Sequence, residues 1–129
     1  MSMPWIGRDG AMQIETIAER VALNQHAFRE VNERLEQSAD DVAPHMQLIP
    51  FVCECPDRDC TEITRLERSE YEAVRQDSRT FLVAPGHEVI EVDRVPIARI
   101  VERCERFSTM EKVGEAGAIV EKLDRRGGG

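Results

Sequence analysis

The sequence predicts an α+β fold: a long N-terminal helix followed by a small zinc-stapled mixed domain with a C-terminal β-hairpin. Three observations carry that prediction. Residues 12–39 contain neither Pro nor Gly, and their apolar side chains recur at steps of three and four, the period of a helix face. Beyond residue 47 the chain breaks into short apolar runs separated by turn residues, the pattern of short strands. Between two of these runs lies Cys53-Glu54-Cys55-Pro56-Asp57-Arg58-Asp59-Cys60, and His87 follows a Pro85-Gly86 turn. Clustered thiolates with an imidazole are the donor set that zinc takes in closed tetrahedral sites.

Residues 1–11, with Pro4, Gly7 and Gly10, read as a flexible leader,. The helix then spans 12–39. Ile14, Ile17, Val21, Phe28, Val31 and Leu35 form a heptad-like seam with Asn24 as its one polar member,. Two readings of that seam stay open. It either packs on its own domain, or it forms a short coiled coil whose register Asn24 fixes. Asp40-Asp41-Val42-Ala43-Pro44 ends the helix,.

The mixed domain spans 47–124. Leu48 to Cys53 reads as an edge strand, because Pro50 removes a ladder donor,. Glu62 to Leu66 reads as a second strand. Ser69 with Glu72 reads as a capping box opening a short helix to about Gln76. Residues 79–83 read as a strand, followed by the Ala84-Pro85-Gly86 turn. Residues 97–103 and 107–113 read as the arms of the hairpin, joined by Cys104-Glu105-Arg106. Gly114 to Gly117 closes the second arm. Residues 119–123 form a short helix, and 125–129 a disordered tail.

Composition narrows the function classes. The formal net charge is −8, and basic residues are interleaved with acids. Such a surface repels phosphate backbones, so no nucleic acid is expected as partner. No stretch of eighteen apolar residues exists, so no membrane span is expected,. The N-terminus lacks an apolar signal segment, which points to the cytoplasm. In that compartment clustered thiols are more often metal ligands than disulfides.

Cys53, Cys55, Cys60 and His87 are therefore the expected metal ligands, with Cys104 and His45 as alternatives for the fourth position. Cys53 and Cys55 chelate from one bend, and the Pro56-Asp57 turn returns Cys60 to the same ion. His87 arrives from beyond a strand–helix–strand excursion, closing a long loop. Cys104 alternatively reads as a half-buried residue of the hairpin, and His26 as a solvated residue on the polar face of the long helix. Glu54 and Glu88 are adjacent to expected ligands and are the candidate bases for a catalytic zinc. The deaminase signature H-x-E with P-C-x-x-C is absent, as is H-E-x-x-H,. No phosphate-binding glycine loop or nucleophile elbow is present either.

Several segments also resemble a known group. They are NQHAFREVNE (24–33), FVCECPDRDC (51–60), YEAVR (71–75), FLVAPGHE (81–88) and MEKVGEA (110–116). Together they resemble small, uncharacterised bacterial proteins with an F-R-E-V-N-E helix, an F-V-C-E-C…C segment and a G-H-E turn. The resemblance spans about residues 20–120. It implies that the cysteine cluster and the G-H-E turn belong together, and it carries no catalytic residue over.

The expected function is that of a structural-zinc module acting in protein–protein interaction or regulation. Its partner would be another protein or a second copy, bound through the N-terminal helix. A thiol–zinc redox sensor and a small zinc-dependent enzyme are the alternatives.

Overall fold

Thr16 and Glu19 cap each other. The Thr16 hydroxyl accepts the Glu19 N–H at 3.0 Å, and the Glu19 carboxylate accepts the Thr16 N–H at 2.8 Å. This capping box opens helix α1, Ile17–Val42. The computed structural model describes residues 16–42 and 47–126. The expected leader, the first residues of the expected helix, Ile14 and His45 lie outside that range. Helix α1 continues past the expected stop at residue 39. Asp40 and Asp41 each lower helix propensity by less than about 1 kcal/mol, too little to end a helix.

The inward face of α1 is not the expected seam. Ala18, Val21, Ala22, Gln25, Arg29, Asn32 and Glu36 are buried. Ile17, Asn24, Phe28 and Leu35 are half-buried, and Val31 is exposed. The stripe is rotated because the domain offers α1 polar partners as well as apolar ones. Arg29 donates to the Ser78 carbonyl at 2.7 Å and the Val120 carbonyl at 2.9 Å, and its guanidinium lies 4.6 Å from the Phe81 ring centroid. Buried polar groups are tolerated only when bonded in this way. Of the two readings of the helix, packing on its own domain is the arrangement seen. His26 is half-buried rather than solvated, and its Nδ1 lies 3.2 Å from Arg29 Nη2.

Strand β1, Ile49–Val52, pairs antiparallel with β2, Ile63–Leu66. Helix α2 is Arg68–Arg75, and its N-cap is Glu67 rather than Ser69. The Glu70 carboxylate accepts the Glu67 N–H at 2.8 Å, so the capping box sits two residues earlier than Ser69 and Glu72 indicated. Strand β3, Thr80–Val83, pairs with β7, Ser108–Lys112, which pairs in turn with β6, Ala98–Arg103. Both pairings are antiparallel. A bulge between Ile100 and Glu102 shifts the β6–β7 register. Between these strands, β4, Glu91–Val92, folds back on β5, Val95–Pro96. Its turn puts Asp93 and Arg94 at φ 48° and 71°, the left-handed pair a two-residue hairpin turn requires.

Helix α3, Gly114–Leu123, starts five residues before the expected position. Gly114 and Gly117 belong to its first turn instead of closing a strand. A Cβ on Gly117 would stand 2.7 Å from the Lys112 carbonyl oxygen. That glycine therefore reflects a close helix–strand approach. Asp124 is buried just beyond α3 and accepts from Arg75 at 2.6 Å. Arg126 reaches Glu33, Glu36 and Glu72, and Arg125 reaches Glu30. The expected disordered tail thus does not begin at residue 125.

Among the described residues three apolar clusters fill the interior, the smallest being Ala22, Phe81 and Val120. Of the two larger, one joins Phe51 and Tyr71, stacked at 4.3 Å, with Ile49, Leu66, Val74, Leu82 and Phe107. The other joins Cys53 and Cys55 with Val83, Ala84, Ile97, Ala98, Met110, Ala116 and the start of α1. Among the described residues no helix is long and apolar enough to cross a membrane.

Candidate metal centre

The segment after β1 runs extended between two neighbours. The Cys53 N–H donates to the Glu62 carbonyl at 2.9 Å, and the Glu54 N–H to the Leu82 carbonyl at 2.9 Å. Successive side chains of an extended chain point to opposite sides. Cys53 and Cys55 therefore share one face, and Glu54 takes the other. The next turn is closed by the Cys60 N–H donating to the Asp57 carbonyl at 3.0 Å, and it returns the third thiol to the first two. After β3, the Ala84-Pro85-Gly86-His87 turn is closed by the His87 N–H on the Ala84 carbonyl at 2.9 Å, with Gly86 at φ 89°. Proline followed by a left-handed glycine is the chemistry of a type II turn. The turn presents His87 to the thiols.

The sulfurs of Cys53, Cys55 and Cys60 and a ring nitrogen of His87 all lie within 4.8 Å of one another. His87 Nδ1 is 3.6 Å from Cys53 Sγ and 3.5 Å from Cys60 Sγ. No disulfide links the cysteines. Cys53 and Cys55 are buried, and Cys60 and His87 half-buried. A group of this kind can hold a metal ion. Cys104 is half-buried outside the group, and His45 is outside the described residues.

The electrostatics are those of crowded thiols. A hydrogen bond from the Cys53 thiol pulls Cys55 down to about 5, against the opposing effect of burial. The same bond, reinforced by burial, pushes Cys53 up. Cys53 Sγ also accepts the Ala84 N–H at 3.2 Å, a contact that favours a negative sulfur. Lys112 is fully buried, its ammonium 5.7 Å from the Phe81 ring centroid. Burial pushes it down to about 7, opposed by the charges of Glu54 and Cys55.

Both carboxylates considered as bases are otherwise engaged. Glu54 is fully buried, accepting from the Leu82 N–H at 3.0 Å and from Asn32 Nδ2 at 2.8 Å. Burial pushes it up to about 7, against those two hydrogen bonds and the charges of Arg29 and Arg75. Glu88 accepts the Ser108 hydroxyl at 2.6 Å, which holds it below the usual carboxylate range.

Periodicity and spacing did not reveal the buried polar groups Gln25, Asn32 and Lys112. Each looks like a surface residue in its own stretch of sequence, and its role comes from a partner more than twenty residues away or from another element. Comparison with known protein families, with curated proteins and with solved structures found no match.

Proposed function

We propose that the protein is a small cytoplasmic module whose fold is stapled by one structural zinc ion and whose helix α1 engages a protein partner or a second copy. Cys53, Cys55, Cys60 and His87 are the ligands. The observation that carries this reading is the spacing of donor atoms. Tetrahedral zinc, with sulfur at about 2.3 Å and nitrogen at about 2.0–2.1 Å, sets sulfur-to-nitrogen edges of about 3.5–3.6 Å. The two His87 contacts have those lengths. Soft thiolates favour zinc over calcium, magnesium or manganese. Four protein ligands complete its tetrahedron, which suits a structural rather than a catalytic site.

The interaction surface is proposed on the outer face of α1, where Leu23 is 46% and Val31 40% exposed. Both lie on the side turned from the polar inward stripe. Changing Asn24 to Leu then alters oligomeric mass or partner binding. A monomer for both forms in sedimentation, with no partner difference, removes this part of the reading.

Metal analysis of the purified protein tests the zinc. One zinc per chain is expected, with loss in Cys60→Ser and a weakened site in His87→Ala. Full retention in Cys60→Ser would exclude this ligand set.

A second reading, a zinc–thiol redox sensor, draws on Cys60 being only half-buried within the group of three thiols. Peroxide would take two electrons from a pair of thiolates, form their disulfide and release zinc. Zinc that stays bound under excess peroxide would remove it.

A further inference from the structure

The polar atoms of Glu54 are spoken for, and most of their partners come from outside the cysteine loop. Its N–H donates to the Leu82 carbonyl, and its Oε1 accepts the Leu82 N–H. Its carbonyl accepts Gln25 Nε2 at 2.8 Å, and its Oε2 accepts Asn32 Nδ2 at 2.8 Å. Asn32 also treats β1 as a strand neighbour would. Its Oδ1 accepts the Val52 N–H at 2.8 Å, and its Nδ2 donates to the Val52 carbonyl at 2.9 Å. Two fully buried amides of α1 thus grip the backbone immediately before Cys53 and the residue between Cys53 and Cys55.

We propose that Asn32 and Gln25 are positioning residues of the metal centre, so that the docked helix α1 forms part of it. This inference rests on the zinc reading above. The alternation of side chains makes the mechanism concrete. Rotating residue 54 off its partners would turn both neighbouring sulfurs away from His87. Holding Glu54 on α1 and β3 fixes the bend from which Cys53 and Cys55 chelate. By linkage, an ion bound at the thiols favours the docked position of α1 to the same degree.

The two amides separate a positioning role from a merely stabilising one. Gln25 Oε1 is buried without a hydrogen-bond partner. Replacing Gln25 by Met removes that orphan together with the single bond to Glu54. Because the change also leaves the buried Glu54 carbonyl without its bond, one orphan is exchanged for another. The metal-free protein should therefore be about as stable as the wild type, while its zinc affinity falls. Losing the partner of a ligand-bearing segment typically weakens metal binding about 10–100-fold.

The experiment measures zinc affinity by competition with a chromophoric chelator, and the visible spectrum of the cobalt(II) form, for wild type, Gln25→Met and Asn32→Leu. The expected result is a loss of about tenfold for Gln25→Met and more for Asn32→Leu, within the range for such partners, with shifted cobalt bands. The double variant Asn32→Asp with Glu54→Gln reverses the polarity of that bond and should recover affinity over Asn32→Asp alone. Unchanged affinity and spectrum in Gln25→Met and Asn32→Leu, with wild type loading one ion, would overturn the positioning role and leave the metal centre standing. Should Asn32→Leu not fold, Gln25→Met decides. A wild type that takes up neither zinc nor cobalt overturns both.

Discussion

Replacing His87 by Ala separates the effect of the ion from that of the side chain. The ring meets Cys53 and Cys60 across 34 and 27 residues of sequence. In the chain-entropy picture, a cross-link closing a loop of that length removes about 3–4 kcal/mol of denatured-state freedom. His87 is half-buried and its backbone turn is closed by the Ala84 carbonyl, so without an ion its ring adds only its two contacts to the Cys53 and Cys60 thiols. The cluster built on Phe51 and Tyr71 does not include the three thiols, so the metal-free chain is expected to stay folded at reduced stability. In zinc-saturated buffer, His87→Ala should therefore lower unfolding free energy by about 3–4 kcal/mol. In chelator, the same change should cost less than about 1 kcal/mol, as is usual away from buried features. Urea unfolding followed by far-UV circular dichroism gives both numbers. An equal loss in both buffers would show that His87 acts by packing alone, and no loss in zinc would show that it is no ligand.

Thiol titration gives a count. With zinc bound, one cysteine, Cys104, should react promptly with a disulfide reagent, and all four should react after chelation; four reactive thiols in the zinc-loaded protein would contradict the ligand set. A pH effect arises at Glu36, which burial and the neighbouring Glu72 push up to about 7, while Arg126 holds Glu72 at about 2. Because the folded state binds the Glu36 proton more tightly than the unfolded state, this group's contribution is present below pH ~4.5 and is lost as pH rises through about 7,. Relative to Glu36→Gln, the wild type should lose at most about 3 kcal/mol between pH 5 and 8, and parallel denaturation profiles would exclude this. Gly117→Ala should destabilise by about 1–3 kcal/mol, since its Cβ would meet the Lys112 carbonyl at 2.7 Å; an unchanged midpoint would mean that α3 shifts freely.

The sequence made the thiol cluster and the Pro85-Gly86 turn readable because both are local. Cysteine spacing and turn chemistry depend on a few consecutive residues, and the structure brings Cys53, Cys55, Cys60 and His87 together. The existence of α1 was readable from the same kind of pattern, but its orientation was not. Apolar periodicity points to Phe28, Val31 and Leu35, whereas the buried stripe is completed by Gln25, Arg29, Asn32 and Glu36. Their partners include Ser78, Val120, Val52 and Arg126, and periodicity holds no record of distant partners. Gly114 and Gly117 misled in a similar way. Glycine marks turns, but here Gly117 answers to a carbonyl on the strand before it. Arg126 looked like part of a tail because its three carboxylate partners sit on α1 and α2.

The most direct measurement is X-ray absorption at the zinc edge of the purified, unmodified protein, taken with its metal content. One zinc per chain is expected, surrounded by three sulfurs at about 2.3 Å and one nitrogen at about 2.0–2.1 Å. A chain that takes up no zinc, or a shell in which oxygen replaces any of the three sulfurs, would contradict the staple formed by Cys53, Cys55, Cys60 and His87.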